Sequence, residues 1–301
     1  MGALSLTAGI LMFRSGLCSL LLFIGTLLPL CAHAQASYVD LGLSALHSDG
    51  GTSGFEWTEY ETSAAVEWAQ ESVVFGGSLR YVRSEFPGIA TFNLQSQTLW
   101  VGYGLTESLR LLAEYDHADS DYTGVYLDHE AEDFGAVLGV RHELKQEGDD
   151  LLSLDVSYRV TDELTVYSSL SHRLDADVST GHVWGEYEAG DLYLLGGVKE
   201  ASDADLKIGF GGGALLGGKW AAYAGAELSE PFDFYSLSML YSLNDHSTLH
   251  VRAIQSDSHA SSSSQMTYSL AYRLETGTRT GTRGALQARR LWMDDRLGFS
   301  F

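Results

Sequence analysis

Two histidines stand among carboxylates, His117 between Asp116 and Asp119 and His129 between Asp128 and Glu130. An imidazole oriented by an acid can act as a general base, and hydrolases use such pairs beside an activated serine. No serine lies in a spelling that suggests such a nucleophile, so both histidines read as loop residues and the chain as a non-enzyme. The only cysteines, Cys18 and Cys31, lie close to the start. The remainder therefore has no thiol for a disulfide, a metal site or a covalent intermediate. No acidic run has the spacing of an EF-hand loop, so neither metal nor cofactor is expected. Gly211-Gly212-Gly213 and Gly217-Gly218 read as aids to strand bending, not as a phosphate cradle.

These residues sit in a chain whose apolar positions recur at every second residue from Tyr38 onward, the period of a strand. Leu152, Leu154, Val156, Tyr158 and Val160 alternate with Ser153, Asp155, Ser157 and Arg159. Met266, Tyr268, Leu270, Tyr272 and Leu274 alternate with Thr267, Ser269, Ala271 and Arg273. No segment reads as a long amphipathic helix. The same alternation assigns each charge to a face: Arg80, Arg110, Arg141, Arg159, Arg173, Lys207, Lys219, Arg252 and Arg273 fall on the polar face with Glu59, Glu61, Glu67, Glu114, Asp155 and Glu227.

The first 34 residues form a different unit. They hold one charged residue, Arg14, and an apolar run from Leu17 to Leu30 that ends at Cys31-Ala32-His33-Ala34. This is the pattern of a secretory signal with an A-x-A cleavage site, which would make Gln35 the first mature residue. No later stretch supplies the roughly 20 apolar residues of a membrane-crossing helix. The formal net charge is −22, and nucleic acid is excluded as a partner because phosphate neutralisation needs basic clusters. The one basic cluster is in the tail: Arg279, Arg283, Arg289, Arg290 and Arg296.

Alternation suits a soluble sandwich and a membrane barrel equally, and the ends of the apolar face discriminate between them. Tyr103, Tyr158, Tyr241, Tyr272 and Trp220 lie at strand ends, where a membrane girdle places aromatic rings. Three turns share one spelling: Tyr103-Gly104-Leu105-Thr106-Glu107, Tyr158-Arg159-Val160-Thr161-Asp162 and Tyr241-Ser242-Leu243-Asn244-Asp245. With apolar alternation resuming at once, this resembles the periplasmic hairpins of bacterial outer-membrane β-barrel proteins of the porin-like class. The end, Arg296-Leu297-Gly298-Phe299-Ser300-Phe301, is similar to the terminal-strand signal that barrel assembly machinery reads in that class.

The resemblance implies an all-β fold, a closed up-and-down antiparallel transmembrane barrel in a Gram-negative-type outer membrane, in contact with lipid and lipopolysaccharide. Residues 1–34 are then the signal peptide, 35–275 the barrel, and 276–301 an Arg/Gly/Thr-rich tail ending in a terminal strand. Strands of nine to eleven residues plus connections fit 12 to 16, and 14 is the expectation. Placing the three spelled turns on one side of the membrane adds faint strands near Tyr122–His129 and Gly181–Glu188, which raises the count to about 16. Acid-rich stretches, Asp116 to Asp133, Glu147 to Asp150, Asp175 to Asp177 and Glu200 to Asp205, read as exterior connections. They are either solvated loops or sites for Ca²⁺ or Mg²⁺ bridging to lipopolysaccharide. Charge on the lipid face costs about 2–4 kcal/mol at the midplane, so the charged face is read as pore-lining. The expected function is passive passage of small hydrophilic solutes. The alternatives are a closed structural or adhesive barrel and, behind it, a barrel hydrolase.

Overall fold

The computed structural model describes residues 36–51, 55–118, 120–144, 150–230, 232–260 and 263–297. Along them run β1 (Ala36–Gly50), β2 (Phe55–Gln70), β3 (Val73–Phe86), β4 (Ala90–Gly104), β5 (Leu109–His117) and β6 (Asp121–Glu130). Next come β7 (Phe134–Glu143), β8 (Leu151–Arg159), β9 (Leu164–Arg173), β10 (Val178–Ala189) and β11 (Leu192–Ala201). The last strands are β12 (Ala204–Gly217), β13 (Trp220–Leu228), β14 (Phe232–Asn244), β15 (Ser247–Ser258) and β16 (Ser263–Gly277). Each pairs antiparallel with its neighbours in sequence, and β1 closes on β16 from Tyr38↔Gly277 to Ser48↔Thr267.

The barrel thus has 16 strands, the upper end of the expected 12 to 16 and two more than the central expectation of 14. The difference lies in the connections. Glu71-Ser72, Gly190-Asp191, Ser202-Asp203, Gly218-Lys219 and Asp245-His246 each join two strands with two residues, leaving more of the chain for strands. β6 and β10 are the two faint strands that the shared side of the spelled turns requires. Those turns, β4–β5, β8–β9 and β14–β15, open at one end of the barrel, and their common Thr or Asn does one job in each. Thr106 Oγ1 accepts from the Ser108 amide at 3.3 Å, Thr161 Oγ1 from the Glu163 and Leu164 amides at 3.2 and 3.1 Å, and Asn244 Oδ1 from the His246 amide at 2.9 Å. The side chain replaces a backbone acceptor at the bend.

Cross-strand partners share a face, so the register carries one face around the barrel. Tyr38 opposes Glu67, Glu67 opposes Gly76, Gly76 opposes Trp100, and Trp100 opposes Glu114. That face is the lumen wall. The other carries the exposed large apolar residues, among them Leu99, Val125, Leu170, Leu237 at 61% exposure, Val251 and Leu270. An apolar surface of that extent is what a bilayer would cover.

Two sequence expectations change. Asp116 to Asp133 is mostly β6, not one acidic connection; Glu147 to Asp149 lie outside the described residues, and Asp175 to Asp177 and Ser202-Asp203 form short turns at one end. In the tail, Gly281–Leu297 form the 17-residue helix α1, so Arg296 and Leu297 end a helix where alternation suggests a strand. With β1 paired to β16 the sheet has no free edge for a further strand. The run Ala285-Leu286-Gln287-Ala288-Arg289-Arg290-Leu291 consists of good helix formers without a β-branched residue. Gly298 to Phe301 lie outside the described residues, as does the expected signal peptide.

Candidate functional site

α1 lies inside the barrel, touching β6 and β7 at one wall and β13, β14 and β15 at the other. Strands β6 and β14 are eight positions apart in the ring of 16, hence opposite each other. A 17-residue helix spans about 25 Å, so α1 is a strut across the lumen.

The wall supplies both of its caps. α1 has no acidic residue in its first turn, which leaves its first amides and the positive end of its dipole without a local partner. Asp128 of β6, only 2% exposed, fills the gap. Its carboxylate accepts from the Thr282 amide at 3.1 Å and the Arg283 amide at 3.4 Å, with Arg110 Nη1 3.8 Å away. Gly281 enters this corner at φ 79, and a Cβ there would collide with both Asp128 and Arg110. Just upstream, the Thr280 amide and hydroxyl donate to Glu67 Oε1 at 2.8 and 2.5 Å, and Trp100 Nε1 holds the other oxygen at 3.1 Å. At the far end the Ser236 hydroxyl donates to the Leu297 carbonyl. The Leu297 side chain is fully buried with Trp184, Tyr193 and Leu195. Gly211 makes room for it, since a Cβ there would meet Leu297 Cδ2 and the Ala224 carbonyl at 3.0 Å.

Between the caps Arg283, Arg289 and Arg290 each meet an acid of the wall. Arg283 pairs with Glu114 at 2.6 Å and lies 4.0 Å over the Tyr126 ring. Arg289 pairs with Glu186, which Trp184 Nε1 also holds, and with Glu188 at 2.6 Å. Arg290 pairs with Asp155 at 2.7 Å, and Arg279 sits 4.8 Å over the Tyr38 ring.

Register puts Arg80, Arg110, Arg141, Arg159, Arg173, Lys207, Arg252, Arg273, Glu59, Glu61, Glu67, Glu114 and Asp155 on the wall that faces α1. Glu67, Glu114 and Asp155 hold the α1 segment directly. Others pair along the wall: Arg80 with Glu61 through two bonds at 2.8 and 2.9 Å, Arg141 with Asp116 at 2.8 Å, Arg273 with Asp40 at 2.9 and 2.7 Å, and Lys207 with Glu227 at 3.2 Å. Arg159 lies 3.8 Å from Asp133, and Glu59 accepts from Ser84 at 2.9 Å. Lys219 belongs to a turn, not to a strand face, and its Nζ donates to the Leu243 carbonyl at 2.7 Å.

Tyr103, Tyr158, Tyr241, Tyr272 and Trp220 all stand on the outer face, near the end with the spelled turns. Trp220 and Tyr241 are cross-strand partners with rings 4.7 Å apart, and Tyr241 and Tyr272 both oppose Leu249. Neither histidine forms a dyad with its neighbours in sequence, because alternation sends adjacent residues to opposite faces. His117 bonds Asp121 while Asp116 bonds Arg141. His129 offers its carbonyl to Thr282, at 2.8 Å, and its ring lies 6.0 Å from that of Phe134, while Asp128 caps α1; Asp119 lies outside the described residues.

Sequence reasoning named Asp128 only as a neighbour of His129 and missed Asp40, Glu186, Glu188 and Ser236. Asp128 sat in a stretch read as a connection, and the other acids gain their role only from the arginines they meet. Beside α1, at the end with the spelled turns, lies a cavity of about 420 Å³ lined by Glu130, Asp133, Arg159, Glu163, Glu188 and Arg289 among others.

A triple mutant of the Rhodopseudomonas blastica porin superposes with a TM-score of 0.56 at 9% identity, covering 80% of this chain and 100% of that one. The chain has the porin fold. A structure described under asymmetric conductivity of engineered proteins gives a TM-score of 0.57 at 10% identity, with the same coverage. At such identity the likeness to the porin is one of fold. No family model matches the chain, and no curated protein matches it.

Proposed function

We propose that this chain is an outer-membrane channel of porin type, through which small hydrophilic solutes pass by diffusion without covalent chemistry. One observation carries the reading: a closed 16-strand barrel keeps arginines and carboxylates on its inner wall and large apolar residues outside. Barrels of 16 to 18 strands are too wide for wall side chains to fill and leave an aqueous channel. α1, about 10–12 Å across with its side chains, narrows such a channel without matching its width, and the acid-lined cavity beside it is part of the space that remains. The barrel would reach the outer membrane after loss of residues 1–34, with Tyr103, Tyr158, Tyr241, Tyr272 and Trp220 at the headgroups and Phe301 read by the assembly machinery.

The test is ion conductance of the purified, folded protein in a planar bilayer. Stepwise current is the expected result. A second reading, a closed structural barrel, draws on the wall-to-wall span of α1. A folded protein that stays silent would favour it.

A further inference from the structure

The arginines of the tail and the carboxylates of the wall form one electrostatic unit. Glu114, Asp155, Glu186 and Glu188 sit on three different strands, and each has its partner on α1. The remaining contacts, Glu67 to Thr280 and Asp128 to the first amides of α1, also end on the tail. Without α1, Glu67, Glu114, Asp155, Glu186 and Glu188 would lose these partners and face water in the lumen, whereas the Arg110–Asp128, Arg80–Glu61, Arg141–Asp116 and Arg273–Asp40 pairs would survive because both partners belong to the wall. The chain has no other cluster of arginines in sequence.

We infer that α1 is the selectivity element of the channel: a docked counter-charge that narrows the lumen and cancels its acidic excess, so that the barrel without it would be wider and would prefer cations. A fixed charge lining a narrow path concentrates its counter-ion. The inference rests on the channel reading and adds to it which segment decides charge preference. It also separates two effects that a simple plug would not, since width depends on whether α1 is docked and preference depends on which side of the ion pairs keeps its charge.

Two full-chain variants exploit that separation. R283Q/R289Q/R290Q breaks all four ion pairs of α1 and E114Q/D155N/E186Q three of them, and each loosens its hold on the wall. Both should at least double the single-channel conductance. Under a salt gradient the reversal potential should move toward cations in the arginine variant and toward anions in the acid variant, and both shifts should shrink between 0.1 M and 1 M salt as the Debye length falls from about 10 to about 3 Å. Variants that remain heat-modifiable on gels count as folded. If wild type conducts and both variants match it in conductance and preference, the inference is overturned and the channel reading stands. If wild type is silent and the variants conduct, α1 closes the pore completely, which upholds the inference and overturns an open resting channel. If none conducts, both fall. Should the triple variants fail to fold, G135C/T282C reads docking directly, because a Cβ at Gly135 would touch the Thr282 side chain. Oxidation should crosslink the barrel to the tail, and a pair that stays reduced in the folded protein would overturn the inference.

Discussion

Asp128 and Ser236 stand eight strands apart in a ring of 16, and each closes one end of the same helix. A helix normally finds its caps in the residues that flank it. Here the opposite walls of a barrel provide them, so both ends of α1 depend on the closed barrel.

The N-terminal cap should therefore be separable from the barrel. Asp128→Ala removes the acceptor of two amides and leaves Arg110 without its partner, with about 1 kcal/mol expected for the lost cap alone. Trypsin should then cut after Arg279 and Arg283 several-fold faster while the barrel stays folded. Asp128→Asn should recover much of the protection, since asparagine caps nearly as well. Equal cleavage of Asp128→Ala and wild type would show that the cap holds nothing.

At the other end, Leu297→Ala empties a site that is fully buried against Trp184, Tyr193 and Leu195. Truncations of this type cost about 2–5 kcal/mol. That loss should speed hydrogen exchange of the amides in the last turns of α1 and leave the strand amides unchanged. Gly211→Val should act alike by pushing Leu297 out. Unaltered exchange in both variants would contradict the packing.

Tyr158, Tyr241 and Tyr272 are expected at the lipid headgroups. Tryptophan placed singly at each position should be quenched most by lipids brominated near the headgroup and least by those brominated at the chain ends. Strongest quenching from the bilayer centre, or none, would mean the outer face is assigned wrongly.

The mature protein is expected to begin at Gln35 and to lack both cysteines. N-terminal sequencing and a thiol titration of the membrane-extracted protein check this. An intact Met1, or a lipid on Cys31, would refute it.

The sequence alone determined the class of fold and the face of each strand residue. Period-two alternation is local, and the register of Tyr38, Glu67, Gly76, Trp100 and Glu114 only carries it from one strand to the next. The turn spelling was equally legible, because Thr106, Thr161 and Asn244 act within their own hairpins. The tertiary structure alone decided the strand number, since chain length trades strands against connections and only closure of β1 on β16 fixes the balance. It also decided the fate of the tail. Arg283, Arg289 and Arg290 formed a visible cluster, but Glu114, Asp155 and Glu186 are scattered over more than 70 positions of the chain. Nothing local links them. Only the curvature of a closed sheet brings them around one lumen, where low-dielectric surroundings favour pairing over exposure.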